Sequence, residues 1–254
     1  MIVNELISNI QAYFNNGVKS DDYILSDRLI YKELLNTRST LLFNKIKQLK
    51  GYNIGDNNFS VINCIKLTDV DAASCPCIPA KGCIVKRSLY QLPTFLATAY
   101  GDYIEYVRSI DGRIKFDKSS LAEQEDKEYR EYGKKANEYF FENKYLWIYT
   151  NKDYEDLEFV RLKGIFEDPI LVNDFMVKND CICIKNDTVC TAYDVEFKID
   201  KELTKLLLDT VMSNIYKFFL ITNNDSSNNS RGDLSGNSRR PTQPQESTKR
   251  QDTE

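Results

Sequence analysis

The chain has 254 residues, 42% of them hydrophobic and 28% charged, an ordinary balance for a soluble globular protein with enough length to bury a sizeable core. A formal net charge of −4 speaks against a dedicated nucleic-acid binder. The absence of histidine removes the commonest general base, the commonest metal ligand and every Ser-His-Asp or Cys-His arrangement together.

The opening MIVNELISNIQAYF lacks the basic start and small-residue cleavage site of a signal peptide, and no apolar run approaches the roughly 20 residues of a membrane span. The chain is therefore expected in the cytoplasm of the cell that makes it, where disulfides are rare; the odd count of seven cysteines fits that. Ile2, Val3, Leu6, Ile7, Ile10, Tyr13 and Phe14 recur at helical spacing, and Asn15-Asn16-Gly17 ends the helix. Ser26 is the N-cap of a longer second helix, which carries Leu29, Ile30, Leu34, Leu35, Leu41, Leu42 and Ile46 and stops at Gly51. Its opposite face holds Arg28, Lys32, Arg38, Lys45 and Lys47, read first as a solvated face and second as a surface for an acidic partner or DNA. Residues 1–52 thus form a helical hairpin.

Across residues 53–199 the period changes from 3.6 to 2, and the expectation is a mainly antiparallel β domain, either a sandwich or a small barrel. FSVINCIKL and CIVKRSLY read as strands on either side of the loop SCPCIPAKGC. In YIEYVRSIDGRIKF, Asp111-Gly112 is expected to supply the positive φ angles of a tight type I′ turn. Residues 117–135 are strongly charged and read as a short exposed helix or a flexible insertion. A further hairpin turns near Asn143-Lys144 and sends Tyr145, Trp147 and Tyr149 to one face. EFVRLKGIF follows as a strand closed by Glu167-Asp168-Pro169. Asp200 then caps a last helix, residues 200–222, whose stripe of Leu203, Leu206, Leu207, Val211, Ile215, Phe218 and Phe219 packs on the N-terminal helices. Residues 223–254 contain one large apolar residue, Leu234, and cannot bury enough surface to offset their ordering entropy; they are expected to be disordered alone or ordered on assembly.

The cysteines fall in two groups, Cys75, Cys77 and Cys83, then Cys181, Cys183 and Cys190. Zinc knuckles use Cys-x-x-Cys, whereas both groups open with Cys-x-Cys. A Cys₄ zinc site would therefore have to combine Cys75 and Cys77 with Cys181 and Cys183 from two loops meeting at one end of the sheet. Neither group offers a redox Cys-x-x-Cys. The leading reading makes Cys64, Cys83 and Cys190 small buried hydrophobes. Glycine-rich phosphate loops, Gly-x-Ser-x-Gly and Asp-x-Asp metal pairs do not occur, so neither catalytic residues nor a cofactor is assigned.

Four stretches, SDRLIYKELLNTRSTLLFNKI at 26–46, CPCIPAKGC at 75–83, GIFEDP at 164–169, and the terminal helix followed by NNS at 228–230, resemble a structural protein of crAss-like bacteriophages of gut Bacteroidales. The acidic stretch at 121–131 and the tail beyond residue 230 depart from that pattern. The resemblance implies a non-enzymatic virion component of the head-to-tail connector, one of the rings stacked below the portal of a short-tailed phage. Its partners would be the portal protein, neighbouring copies in a ring that is typically of twelve, and other connector or tail ring proteins. DNA would pass through the channel without sequence-specific binding, and no membrane is involved. On this reading the fold is α+β, Phe218, Phe219, Arg231, Arg239 and Arg240 mark the docking end, and Arg28, Arg38, Lys45 and Lys47 are candidates for the channel wall. The reading from another class is a zinc-stabilised regulatory or nucleic-acid-binding protein.

Overall fold

The computed structural model describes residues 1–14, 25–49, 54–70, 84–99, 101–120, 123, 136–150, 156–179 and 193–223. It divides into two compact units, Met1–Val211 and Met212–Glu254.

The first unit opens with helix α1, Val3–Phe14, whose buried Val3, Leu6, Ile7 and Ile10 follow the expected spacing. The free amides of its first turn are taken up by a distant segment. Val3 donates to the Val195 carbonyl at 3.0 Å and Asn4 to the Tyr193 carbonyl at 3.1 Å, while Ile2 bridges Glu196. Helix α2, Asp27–Gln48, starts as the sequence predicts: Ser26 is extended and its Oγ accepts from the Leu29 amide at 3.3 Å. Its buried stripe is Ile30, Tyr31, Leu34, Thr37, Arg38, Leu42 and Ile46.

The central element is a closed seven-stranded barrel. Its strands are β1 (Ser60–Asp69), β2 (Ile84–Ser88), β5 (Ile104–Ser109), β6 (Lys115–Lys118), β7 (Glu138–Glu142), β8 (Tyr145–Thr150) and β9 (Phe159–Gly164), in the order β1-β2-β8-β7-β6-β5-β9. Two short strands, β3 (Ala97–Thr98) and β4 (Gly101–Asp102), make a separate pair. Of the two β forms open from sequence, the barrel is the one adopted. Its pairs are antiparallel except β6–β7, which runs parallel with Asp117 opposite Glu138 and Lys118 opposite Tyr139. Parallel neighbours need a long connection, and the charged stretch after residue 118 supplies it.

Alternation sorts the side chains. Ile62, Ile65, Leu67, Val107, Phe116, Leu146, Ile148, Val160 and Leu162 join one buried cluster, so the barrel is filled rather than hollow. The alternate positions of β2, β7 and β8 form a second cluster of Val85, Phe140, Trp147 and Tyr149, against which Tyr145 packs. The Phe140 ring lies nearly parallel to Trp147 at 5.9 Å, and the Arg87 guanidinium sits 4.7 Å over Tyr145. Tyr145, Trp147 and Tyr149 therefore share a face, as their spacing implied.

Two local expectations are corrected. The type I′ turn belongs to Asn143-Lys144, with φ of 53° and 66°; in the other hairpin only Gly112 has positive φ, at 75°. Asp111 instead accepts hydrogen bonds from the Ser109 hydroxyl and the Arg113 amide, which builds a longer loop between β5 and β6. Glu167-Asp168-Pro169 does not merely close a strand. Asp168 caps helix α3, Pro169–Lys178, accepting from Ile170 at 2.8 Å with proline in the first turn. Val172 and Phe175 of α3 belong to the barrel's own buried cluster.

Helix α4, Lys201–Asn223, spans the boundary between the units. In the first unit its Leu203 packs with Leu42, Ile46, Phe59, Leu96 and Ile165, so the C-terminal helix meets the second N-terminal helix as expected. Leu206 is not part of that contact and is half exposed. In the second unit, Phe218 is 54% exposed rather than part of a buried stripe. Among the described residues no helix is long and apolar enough to cross a membrane.

Candidate assembly surfaces

The polar chemistry of the first unit begins inside it. Arg38 is 1% exposed. Its Nε donates to the Lys198 carbonyl at 2.7 Å, and its NH1 to the Phe166 carbonyl at 2.8 Å and the Glu167 carbonyl at 3.3 Å. Burial pulls its pKa down to about 10, against the opposing pull of Tyr31 and Asp168, so the guanidinium stays charged at neutral pH. Beside it, the Tyr31 hydroxyl donates to Asp168 at 2.6 Å. Burial, and then that bond to an anion, pushes the phenol well above its usual range. One arginine thus ties α2 to the chain before α3 and the chain before α4.

A second polar node lies around Asp200. Its carboxylate accepts from Lys45 Nζ and from Asn58 Nδ2, each at 2.7 Å, and its amide donates to Asn58 Oδ1 at 2.9 Å. A Cβ at Gly55 would run into that carboxylate, so the close approach requires glycine there.

These placements sort the residues singled out from sequence. Arg28 and Lys47 are exposed at the two ends of α2. Arg38 is buried and faces backbone carbonyls, so it is not available to a channel wall; Lys45 is half-buried and paired with Asp200. Phe218 is exposed. The side chain of Phe219, and Arg231, Arg239 and Arg240, lie outside the described residues, as do Cys75, Cys77, Cys181, Cys183, Cys83 and Cys190. Cys64 is half-buried and disulfide-bonded, which corrects its reading as a small buried hydrophobe. Among the described residues no group of three or more candidate ligands gathers for a metal.

A surface feature with the make-up of a contact site lies between α3 and the segment entering the β3–β4 pair. A cleft of about 370 Å³ is lined by Tyr90, Leu171 and Phe175, with Lys144, Asp174 and Lys178 on its walls. Tyr90 is 53% and Leu171 50% exposed, an apolar pair held open to solvent. The cleft was not foreseen from sequence, where the chain at Glu167-Asp168-Pro169 reads as the close of a strand and no helix is assigned after it.

The described residues of the first unit form a filled barrel held to its helices by buried polar groups, with some apolar side chains left outside. Residues 5–234 match the family model described as phage tail ring protein 2; the chain belongs to that crAss-like phage family and is a structural component of the virion tail. No curated protein matches the sequence.

Proposed function

We propose that the protein is a non-enzymatic subunit of a connector ring that attaches below the portal of a short-tailed phage and extends its DNA channel. The observation that carries this reading is the family match over residues 5–234. The arrangement of the first unit supports it. Arg38 and Asp200 fasten the helical layer to the barrel side through buried hydrogen bonds, which suits a part that must hold its shape under load. Copies would stand side by side in a ring, twelve in number, contacting the portal on one side and further tail rings on the other. Of the four channel candidates Arg28, Arg38, Lys45 and Lys47, the exposed Arg28 and Lys47 would face passing DNA, while residues 223–254 and the exposed Phe218 form the docking end. Incubating the purified protein with portal rings, followed by co-sedimentation and particle imaging, tests the assignment. A saturated ring with the portal's symmetry is the expected result. A protein that stays monomeric and does not sediment with the portal would overturn it.

A further inference from the structure

We infer that the cleft between α3 and residues 90–94 receives residues 231–234 of a neighbouring copy, with Leu234 seated against Tyr90, Leu171 and Phe175. The inference rests on the ring reading, which supplies the neighbour, and adds the surface and the segment through which copies join.

Four observations converge on it. The cleft has exposed apolar walls, Tyr90 and Leu171, and a volume of about 370 Å³, at the small end of pockets that take a ligand side chain with its flanking backbone. Among residues 223–254, Leu234 is the one large apolar residue, so a contact by this segment that removes apolar surface from water has a single candidate anchor. The family match runs past the end of α4 at Asn223 and stops at residue 234, so the shared pattern extends through polar sequence up to that leucine. The charges also correspond. Arg231 and Asp233 stand just before the anchor, and the cleft walls offer Asp174 for the cation and Lys144 and Lys178 for the carboxylate.

The chain length suffices. Eleven residue steps lead from Asn223 to Leu234, a reach of up to about 38 Å when extended. A ring needs two different patches on each subunit, one giving and one receiving. A short segment from one copy and a cleft on the next satisfy that requirement.

The test uses the full-length chain with a photo-crosslinking benzoylphenylalanine at position 234. Isotopically heavy and light copies are mixed, assembled with portal rings and irradiated. The expected products join position 234 of one isotope to peptides containing Tyr90 or Leu171 of the other. Leu171→Asp, at an exposed site that leaves the core untouched, should lower their yield about tenfold, as loss of one buried aliphatic anchor implies. If native mass spectrometry shows a ring but crosslinks stay within single copies, fall elsewhere or do not form, the inference is overturned while the ring reading stands. If the protein stays monomeric with the portal present, both fail.

Discussion

At the scale of single residues, Arg38 joins three parts of the first unit. Three carbonyls from two separate segments accept from it, so Arg38→Met would strip the donor from the buried Phe166 carbonyl and from the part-buried Lys198 and Glu167 carbonyls. The expected loss is about 3 kcal/mol, checked by urea denaturation with an unchanged slope. Arg38 follows Leu34 and precedes Leu42 by four residues each, and so its position on the buried stripe was legible in the sequence. Its charge pointed the other way. What the sequence could not show was the set of carbonyls, more than a hundred residues distant, that makes burying a guanidinium tolerable. The tyrosines set the response to alkali. Burial, with a contribution from Asp117, pushes Tyr139 up to about 12, and Tyr31 is raised further. A phenol with a raised folded pKa stabilises fully below its ordinary value of about 10, and that contribution is lost as pH climbs through the folded value. Arg38, lowered to about 10, acts in the opposite sense over the same range. With three raised phenols, Tyr31, Tyr103 and Tyr139, against one lowered guanidinium, stability should fall between about pH 10 and 12. Tyr139→Phe should flatten that fall by roughly 2 kcal/mol in urea midpoints compared across pH.

At the scale of elements, α3 rests on its cap. Asp168 holds the amides of Ile170 and Leu171 and also accepts from Tyr31, so one carboxylate starts the helix and ties it to α2. Asp168→Ala should therefore cost more than an ordinary cap, about 2 to 3 kcal/mol, and thermal unfolding monitored by circular dichroism would measure it. The signal for this helix was present: an acidic cap, proline at the first position and the apolar run Ile170-Leu171-Val172. It was masked by the adjoining strand, whose alternation runs straight into the same residues. The two hairpins show a related difficulty. Asp-Gly is the stronger type I′ pair by composition, yet Ser109 and Asp111 bond to each other and reshape that loop. Asn143-Lys144 takes the tight turn because β7 and β8 are in continuous register on both sides of it.

At the scale of the whole molecule, strands were readable one by one and their neighbours were not. Closure depends on β1 meeting β9, with Val61 opposite Lys163, and on the parallel pairing of β6 with β7. Alternation specifies which face of a strand is apolar and is silent about its partner. The assembly role was legible only through the family resemblance, and the cleft beside α3 had no signature at all. Removing residues 223–254 should lower portal co-sedimentation and virion yield; unchanged values for both would show that the docking end lies elsewhere. Arg28→Glu with Lys47→Glu should leave folding intact, since both are exposed, and impair DNA passage, read as reduced genome delivery from otherwise normal particles.

The closed barrel also bears on how such a subunit waits for its place. Sheet proteins held at high concentration tend to recruit one another strand to strand, because an open margin is a template for any similar chain. Joining β9 back to β1 leaves the seven-stranded sheet without such a margin. Copies crowded in an infected cell therefore have no backbone route from this sheet to open-ended fibres. Association through this sheet is left to side-chain surfaces, which can demand a partner of the right shape and the right angle.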